Sequence, residues 1–310
     1  MEIKELDLKS LTAQELKVYE GLVPEEFRCY LYSKNPNNLI LHYIALAAVE
    51  NEKPLGLLLA TATESFYIAK IHSLYVEETK EQLLISAHLM SYLEQELKKT
   101  SCIMIQMFYL SDSQDLMKPL LQKLHWMDPF PIASRYLFEG KIFQPSWLYK
   151  KYRYPADIFS LPWQTLSENE KKELLRQKNQ SRFPAEISPF LNETDIEPLN
   201  SLVLKKNEEI IGWMITHRIN PLTIRYSALY ILPKYQFTSL STKLLIDAIQ
   251  IQKRAIDEGH PALYAEFDVK DTEEETNNWK NFIKRRLAPY AQKIRRIYQT
   301  WKDLSMERII

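Results

Sequence analysis

Few titratable side chains of this 310-residue sequence stand where they could do chemistry. Glu266 lies between Ala265 and Phe267 in an apolar run, where burial could raise its pKa and make it a general base. The other interpretation is a carboxylate at the solvent edge of a strand. Tyr298 is open to two interpretations as well, a general acid or a core residue. The six histidines and two cysteines lack metal-binding spacing, so the sequence predicts no metal site.

Composition and charge narrow the class of protein. The chain is 45% hydrophobic and 26% charged, which is typical of a globular protein with real cores. Its 40 basic and 40 acidic residues cancel, so no overall field attracts nucleic acid or an anionic membrane. No apolar run approaches the ~20 residues that a bilayer span needs. We therefore expect a cytoplasmic protein with neither a nucleic-acid nor a membrane partner.

The sequence repeats itself at an offset of 155 or 156 residues. Thr12 and Glu15 have the spacing of a helix capping box, and Ser167 and Glu170 repeat it 155 positions later. The next matching pairs are Gly56 with Gly212, 73–76 with 228–231, and 87–90 with 242–245. Each pair has the same expected element type, a strand after a polar turn or a long amphipathic helix. Matches in a constant order indicate two copies of one fold.

Two further pairs extend the repeat to the ends of the copies. Residues 102–107 match 262–267, and 135–138 match 297–300 at an offset of 162. The predicted domains are therefore 1–143 and 144–310. Each is expected to be a mixed α/β domain, with a mixed, mostly antiparallel sheet flanked by helices and one central crossover.

The second copy contains a strand, a loop and a helix that resemble a known family. Residues 230–242 read Tyr-Ile-Leu-Pro-Lys-Tyr-Gln-Phe-Thr-Ser-Leu-Ser-Thr. This order is similar to the strand, Gln/Arg-Gly-x-Gly-x-Gly/Ala loop and helix of GNAT (Gcn5-related N-acetyltransferase) proteins. Ile231, Pro233 and Gln236 match that pattern, whereas Phe237, Ser239 and Ser241 replace its three small positions. Because both copies fit the order of elements, the resemblance covers nearly the whole chain.

The resemblance implies acetyl-CoA as cosubstrate. In the family, loop amides and the helix N-terminus hold the cofactor's diphosphate, because unpaired N–H groups and the helix dipole favour an anion there. The cofactor-binding residues carried over in this way are Leu229, Tyr230, Ile231, Gln236, Phe237, Thr238, Ser239, Leu240, Ser241 and Thr242. Serine keeps the backbone donor and adds a hydroxyl that could bond a phosphate oxygen.

The first copy departs further from the family pattern. Glu77 and Glu78 precede the matching loop, and Glu81 takes the Gln/Arg position. Carboxylates repel a diphosphate, so the first domain is expected to be structural and non-catalytic. The position of the family's general-acid tyrosine holds Leu121 in one copy and Phe282 in the other. Neither side chain can donate a proton.

Tyr226 is the third catalytic candidate, besides Glu266 and Tyr298. It lies five residues before Ile231 and is expected to share the ligand-side face of Ile231. The alternative interpretation is a packed strand tyrosine.

Two functional hypotheses follow from these residues. The first is an acetyl-CoA-dependent N-acetyltransferase acting on a small amine or a peptide amine. The second is a catalytically inactive pair of domains that binds a ligand or a protein. Pro233 and Gln236 favour the first, and the missing tyrosines and glycines favour the second. Either a monomer or a homodimer is compatible with an internal pair.

Overall fold

A computed structural model of the chain describes residues 1–32, 41–63, 65, 67–191, 193–236, 238–270 and 277–305. The chain divides into two compact units. Unit 1 consists of Met1–Ala133 and Arg295–Ile310, and unit 2 consists of Ser134–Ile294. Each unit is described by itself below.

Unit 1 is a sheet with helices on both faces. In chain order its elements are β1 (Glu2–Glu5), α1 (Ala13–Lys17), α2 (Arg28–Tyr32), β2 (Leu41–Glu50), β3 (Lys53–Thr63), β4 (Ile68–Val76), α3 (Gln82–Lys98), β5 (Met104–Leu110) and α4 (Gln114–Lys123), closed by β12 (Lys293–Asp303). Its strand order is β1-β2-β3-β4-β5-β12. Strands β4 and β5 run parallel through the crossover helix α3, and the other pairings in the unit are antiparallel.

Unit 2 repeats this plan. Its elements are β6 (Phe130–Glu139), β7 (Ile158–Pro162), α5 (Glu168–Asn179), β8 (Leu202–Lys206), β9 (Glu209–Asn220), β10 (Thr223–Ile231), α6 (Leu240–Asp257), β11 (Tyr264–Lys270) and α7 (Asn277–Phe282), which continues as a π-helical turn, Ile283–Leu287. Its strand order is β7-β8-β9-β10-β11-β6. The parallel pair is β10 with β11, joined through α6.

The last strand of each unit does not follow the predicted division at residues 143 and 144. Strand β12, from the end of the chain, pairs with β5 of unit 1 from Ile297↔Leu110 to Asp303↔Met104. Residues 134–139 of β6 belong to unit 2. The two matching segments, 135–138 and 297–300, are thus exchanged between the units. Both segments match in the repeat pattern, so local sequence does not decide which unit each strand completes.

Local sequence does explain how the first helix of each unit starts. The Thr12 side chain accepts a hydrogen bond from the Glu15 amide while the Glu15 carboxylate accepts one from the Thr12 amide. Ser167 and Glu170 form the same capping box at α5. Behind these caps each sheet buries apolar side chains on both faces, such as Leu58 against α3 and Leu204 against α6. The matched pairs therefore take equivalent places in the two units. In the described part of the chain, no helix is both long and apolar enough to cross a membrane.

Candidate functional site

The candidate site of unit 2 lies where two parallel strands part. Strands β10 and β11 pair at three positions, Thr223↔Tyr264, Ile224↔Ala265 and Arg225↔Glu266. Beyond Arg225, β10 continues to Ile231 and β11 continues to Lys270. A β-bulge at Ser227 interrupts the β9–β10 ladder at the same level, because Tyr226 opposes Thr216 while Ala228 opposes Ile215.

A cavity of about 330 Å³ opens at this point and is lined by residues of unit 2 alone. On one face of the sheet its wall is apolar, with Leu229 of β10, Leu245 and Ile249 of α6, and Phe138, Phe143 and Leu287. On the other face it reaches Glu186 and Ile187, next to the acidic strand residues Glu266 and Asp268. The cavity therefore connects the two faces of the sheet through the space between β10 and β11.

Tyr226 lines the cavity and packs on the same face as Ile231, as expected. Strict strand alternation would place residues five apart on opposite faces, and the bulge at Ser227 is what brings them together. The Tyr226 hydroxyl donates to Gln252 Oε1 over 2.8 Å and accepts from Asn200 Nδ2 over 3.0 Å. Burial raises the pKa of this hydroxyl well above its usual value. Tyr226 is thus a protonated member of a buried network that joins β10 to α6.

Glu266 also lines the cavity and is buried, as the apolar neighbours predict. Its Oε1 atom lies 2.6 Å from Arg225 Nη2 and 3.7 Å from Arg135 Nη1. Arg135 in addition holds Asp268 through two hydrogen bonds of 2.7 and 2.9 Å. Glu266 therefore already has protein partners in the two arginines, and it lies at the cavity as one member of an ion-pair cluster.

Tyr298 does not join the other two catalytic candidates. It lies on β12 in unit 1, whereas Tyr226 and Glu266 belong to unit 2. Its ring stacks on Tyr109, with 5.5 Å between the ring centroids, and the two residues are opposite each other in the β5–β12 pair. The exchange of the last strands is the reason for this separation. In this place Tyr298 is a packed strand residue.

The predicted cofactor residues occupy the end of β10 and the start of α6. Leu229 lines the cavity, and Tyr230 and Ile231 are buried in the cores on the two faces of the sheet. Gln236, Thr238 and Ser239 lie in the loop before α6, and Leu240, Ser241 and Thr242 lie in its first helical turn. Phe237 lies outside the described residues. The Gln236 amide donates to Pro233 O, and the Thr238 amide donates to Tyr235 O, each over 3.2 Å.

The start of α6 is only partly open to a ligand. The Leu240 amide donates to Thr238 Oγ1 over 3.3 Å, so Gln236, Thr238 and Leu240 have all bonded their amides within the turn. Ser239 is the N-cap of this 18-residue helix, and among the described residues its side chain makes no cap hydrogen bond. Ser241 and Thr242 follow in the first helical turn, where the dipole favours an anion. The turn keeps the helix dipole but offers fewer amides than a glycine-rich loop.

Unit 1 has a shorter turn, because five residues separate β4 from α3 whereas eight separate β10 from α6. Glu81 is the N-cap residue of α3 and makes no side-chain cap bond. Gln82, the first residue of α3, makes the side-chain bond that Gln236 makes from the turn before α6. Its Nε2 donates to Val76 O over 3.1 Å, as Gln236 Nε2 donates to Ile231 O over 3.2 Å. A carboxylate at the helix N-terminus competes with any phosphate for that position.

One cavity residue and its hydrogen-bond partner were not predicted from the sequence. Ser227, the bulge residue, lines the cavity and is exposed, and its hydroxyl lies 2.7 Å from Nδ1 of the buried His217. The signal was the apolar hairpin that places positions 217 and 225 opposite each other. The contact between Ser227 and His217 depends on the β-bulge, and the sequence does not predict that bulge. In the described part of the chain, no three His, Cys, Asp or Glu side chains converge as metal ligands.

Comparison with known proteins finds the fold but no sequence relative. No family model matches the chain, and no curated protein matches it. A tandem GNAT protein from the clavulanic acid biosynthesis pathway superposes with a TM-score of 0.66 at 8% identity, covering 98% of this chain and 99% of that one. A GCN5-related N-acetyltransferase from Sphaerobacter thermophilus superposes with a TM-score of 0.58 at 10% identity, covering 97% and 96%.

These two structures match both units along almost their full length. At such low sequence identity, the structural similarity establishes the fold alone. The activity has to be inferred from the residues of the candidate site. The parted parallel strands, the crossover helix after the degenerate loop and the repeat of this plan agree with it. The chain is a tandem GNAT fold, as its sequence resemblance predicted.

Proposed function

We propose that unit 2 is an acyl-CoA-dependent N-acyltransferase that transfers an acetyl group to an amine, with unit 1 as a structural domain. The observation that carries this proposal is the cavity between β10 and β11. The arm that carries the thioester is slender, and the apolar wall formed by Leu229, Leu245 and Ile249 suits its methylene groups. The far face, with Glu186, offers room for an acceptor amine.

The residues present fit the two ends of acetyl-CoA unequally. The cavity matches the acyl and arm end by its apolar wall and by its position at the bulge. At the diphosphate end the helix dipole of α6 and the uncapped Ser239 favour an anion, although the amides of Gln236, Thr238 and Leu240 are already bonded. Bound there, acetyl-CoA would supply an activated acyl group. Tyr226 and Gln252 would hold the strand edge beside it through their hydrogen bond.

Acetyl-CoA binding to matched loop variants tests the proposal. The wild-type protein should be stabilised by about 2.7 kcal/mol at a ligand concentration about 100 times Kd, measured by thermal shift and calorimetry. Ser239→Glu gives α6 the N-cap residue of α3 and should abolish the shift, because a carboxylate replaces the anion site. The matched variant Glu81→Ser should leave the shift unchanged. If the wild type and Ser239→Glu bind acetyl-CoA equally well, the diphosphate does not bind at this turn.

A second candidate function is a non-catalytic module that binds a ligand or a protein. It is supported by the bonded loop amides, and by a Tyr226 hydroxyl and a Glu266 carboxylate that already have protein partners. Release of CoA thiol from acetyl-CoA in the presence of primary amines separates the two functions. Binding without release above the spontaneous rate, across a polyamine, an amino sugar and a peptide N-terminus, would favour the non-catalytic module.

A further inference from the structure

The Ser227–His217 pair has a defined direction of hydrogen bonding. His217 Nε2 lies 2.8 Å from the Leu191 carbonyl oxygen. A carbonyl can only accept, so Nε2 carries the ring proton and Nδ1 has a free lone pair. Ser227 Oγ lies 2.7 Å from Nδ1 and 3.4 Å from the Arg225 carbonyl oxygen, so the shorter contact makes it the donor to His217. The result is an exposed serine hydroxyl whose proton points at a buried imidazole that a third group holds in place.

The neighbouring polar groups of the cavity are occupied in other ways. Glu266 is paired with Arg225 and Arg135. The Tyr226 hydroxyl donates a hydrogen bond to Gln252 Oε1, and Lys253 Nζ donates to Gly140 O over 2.7 Å. Compared with these groups, the Ser227 hydroxyl combines access to the cavity with a neutral base behind it.

We propose that His217, acting through Ser227, is the general base that removes the proton of the acceptor nucleophile. The inference rests on the proposed function. As the acceptor nitrogen attacks the thioester carbonyl, its N–H proton moves to Ser227 Oγ and the serine proton moves to His217 Nδ1. The C–N bond forms, the C–S bond breaks, and the thiolate leaves with its electron pair. The imidazolium then returns a proton through Ser227 to the thiolate or to solvent. Serine is unchanged at the end.

The surroundings of His217 keep the ring neutral at ordinary pH. Burial lowers its pKa and Arg225, on β10, lowers it further, while the bond to the Leu191 carbonyl and the charge of Asp195 oppose the shift. The nearby Glu197 and Arg218 form an ion pair with each other. A neutral ring with a free Nδ1 lone pair is the form that can accept the serine proton.

Unit 1 has a similar pair with the two side chains exchanged. His72 is at its β4 bulge, the position of Ser227, and Thr61 is at the β3 position of His217. Thr61 Oγ1 and His72 Nε2 lie 2.8 Å apart. The His72 ring is stacked on Tyr30, with 4.2 Å between the ring centroids. Because an aromatic ring covers the imidazole of unit 1, the accessible hydroxyl is a property of unit 2, and Thr61 provides a matched control.

The test measures acetyl-CoA binding and thiol release separately. The full chain is given acetyl-CoA with water alone and with the primary amines named above, from about pH 5 to 9. We expect Ser227→Ala to bind acetyl-CoA with unchanged Kd, to release thiol about 100-fold more slowly, and to lose the fall in rate that the wild type shows at low pH. Thr61→Val should match the wild type in rate and pH profile.

Each outcome decides something different. If the wild type does not bind acetyl-CoA, the proposed function fails and the inference falls with it. If the wild type binds but no condition gives release above the spontaneous rate, or if Ser227→Ala keeps the wild-type rate and low-pH limb, the inference alone is overturned. His217→Gln, checked for folding by circular dichroism, should reproduce the Ser227→Ala profile. A rate loss without any change in that profile would mean a structural role only.

Discussion

In unit 1, His72 Nε2 lies 2.8 Å from Thr61 Oγ1, which makes the bulge residue of β4 a hydrogen-bond partner of the neighbouring strand β3. Unit 2 keeps the two positions and reverses the residue types, with Ser227 at the bulge and His217 on β9. An imidazole therefore lies beside the parted strands in both units, but on different strands. In unit 1 it is packed against α2, and in unit 2 it stands behind the cavity.

Protonation of His72 should destabilise unit 1 as the pH falls. Burial, and to a smaller degree the charge of Lys70, lowers the pKa of His72 from 6.5 to about 4. The unfolded chain binds this proton below about pH 6.5 and the folded unit resists it, so stability is complete above that pH and is lost as the pH falls toward 4. The shift corresponds to a loss of about 3 kcal/mol over this range.

Denaturant unfolding at several pH values checks this prediction. His72→Gln can keep a bond to Thr61 without a titrating group, so its stability should vary less between about pH 6.5 and 4 than that of the wild type. The exposed His88 provides the control, since His88→Gln should leave the wild-type slope in place. Equal slopes for the wild type and His72→Gln would contradict the prediction.

Gln236 should matter for ligand binding, and its counterpart Gln82 only for stability. Each side-chain amide holds the carbonyl at the end of the preceding strand, Ile231 and Val76 respectively. Replacement of either glutamine by leucine should lower the free energy of unfolding by about 1 kcal/mol, because one hydrogen bond is lost. Only Gln236→Leu should also weaken acetyl-CoA binding, measured by calorimetry. A weaker Kd in Gln82→Leu would instead place the ligand in unit 1.

The sequence predicts helix caps and the order of local elements well, but it predicts strand register and β-bulges poorly. The capping boxes at Thr12 and Ser167, and the strand-turn-helix after Ile231, follow from spacing within a few residues and are present in the structure. The bulge at Ser227 depends on the register between two strands, which no short motif records. Its contact with His217 was therefore not predicted, although both residues lie in one hairpin.

The exchange of the last strands predicts a long-range effect on unit 1. Thr300 is fully buried on β12, opposite Met107 of β5, and its hydroxyl donates to Met127 O over 2.6 Å. Thr300→Pro removes a backbone N–H from the sheet and also this side-chain hydrogen bond. It should lower the free energy of unfolding by about 3 kcal/mol or more. Hydrogen exchange should then show lost protection in β2 to β5. The mirror variant Tyr136→Pro on β6 should affect unit 2.

Unchanged protection of β2 to β5 in Thr300→Pro would contradict the assignment of the last strand to unit 1.

Tyr298 should contribute to stability and not to catalysis. Its ring stacks on Tyr109 within unit 1, and Tyr298 is not among the residues that line the unit 2 cavity. Tyr298→Ala should lower the unfolding free energy of unit 1 by about 2 kcal/mol, because stacking and buried area are both lost. Tyr298→Phe keeps the ring and should leave stability within about 0.5 kcal/mol of the wild type. Thermal unfolding measures both changes.

The matched pair separates packing from proton transfer. A general acid acts through its hydroxyl, so Tyr298→Phe would slow thiol release from acetyl-CoA and alter the high-pH limb of the rate if Tyr298 protonated the leaving thiolate. A stacked strand residue acts through its ring, so Tyr298→Phe should release thiol at the wild-type rate. We expect the second result, since the Tyr298 ring packs on Tyr109 within unit 1 and the proposed base, His217 through Ser227, belongs to unit 2.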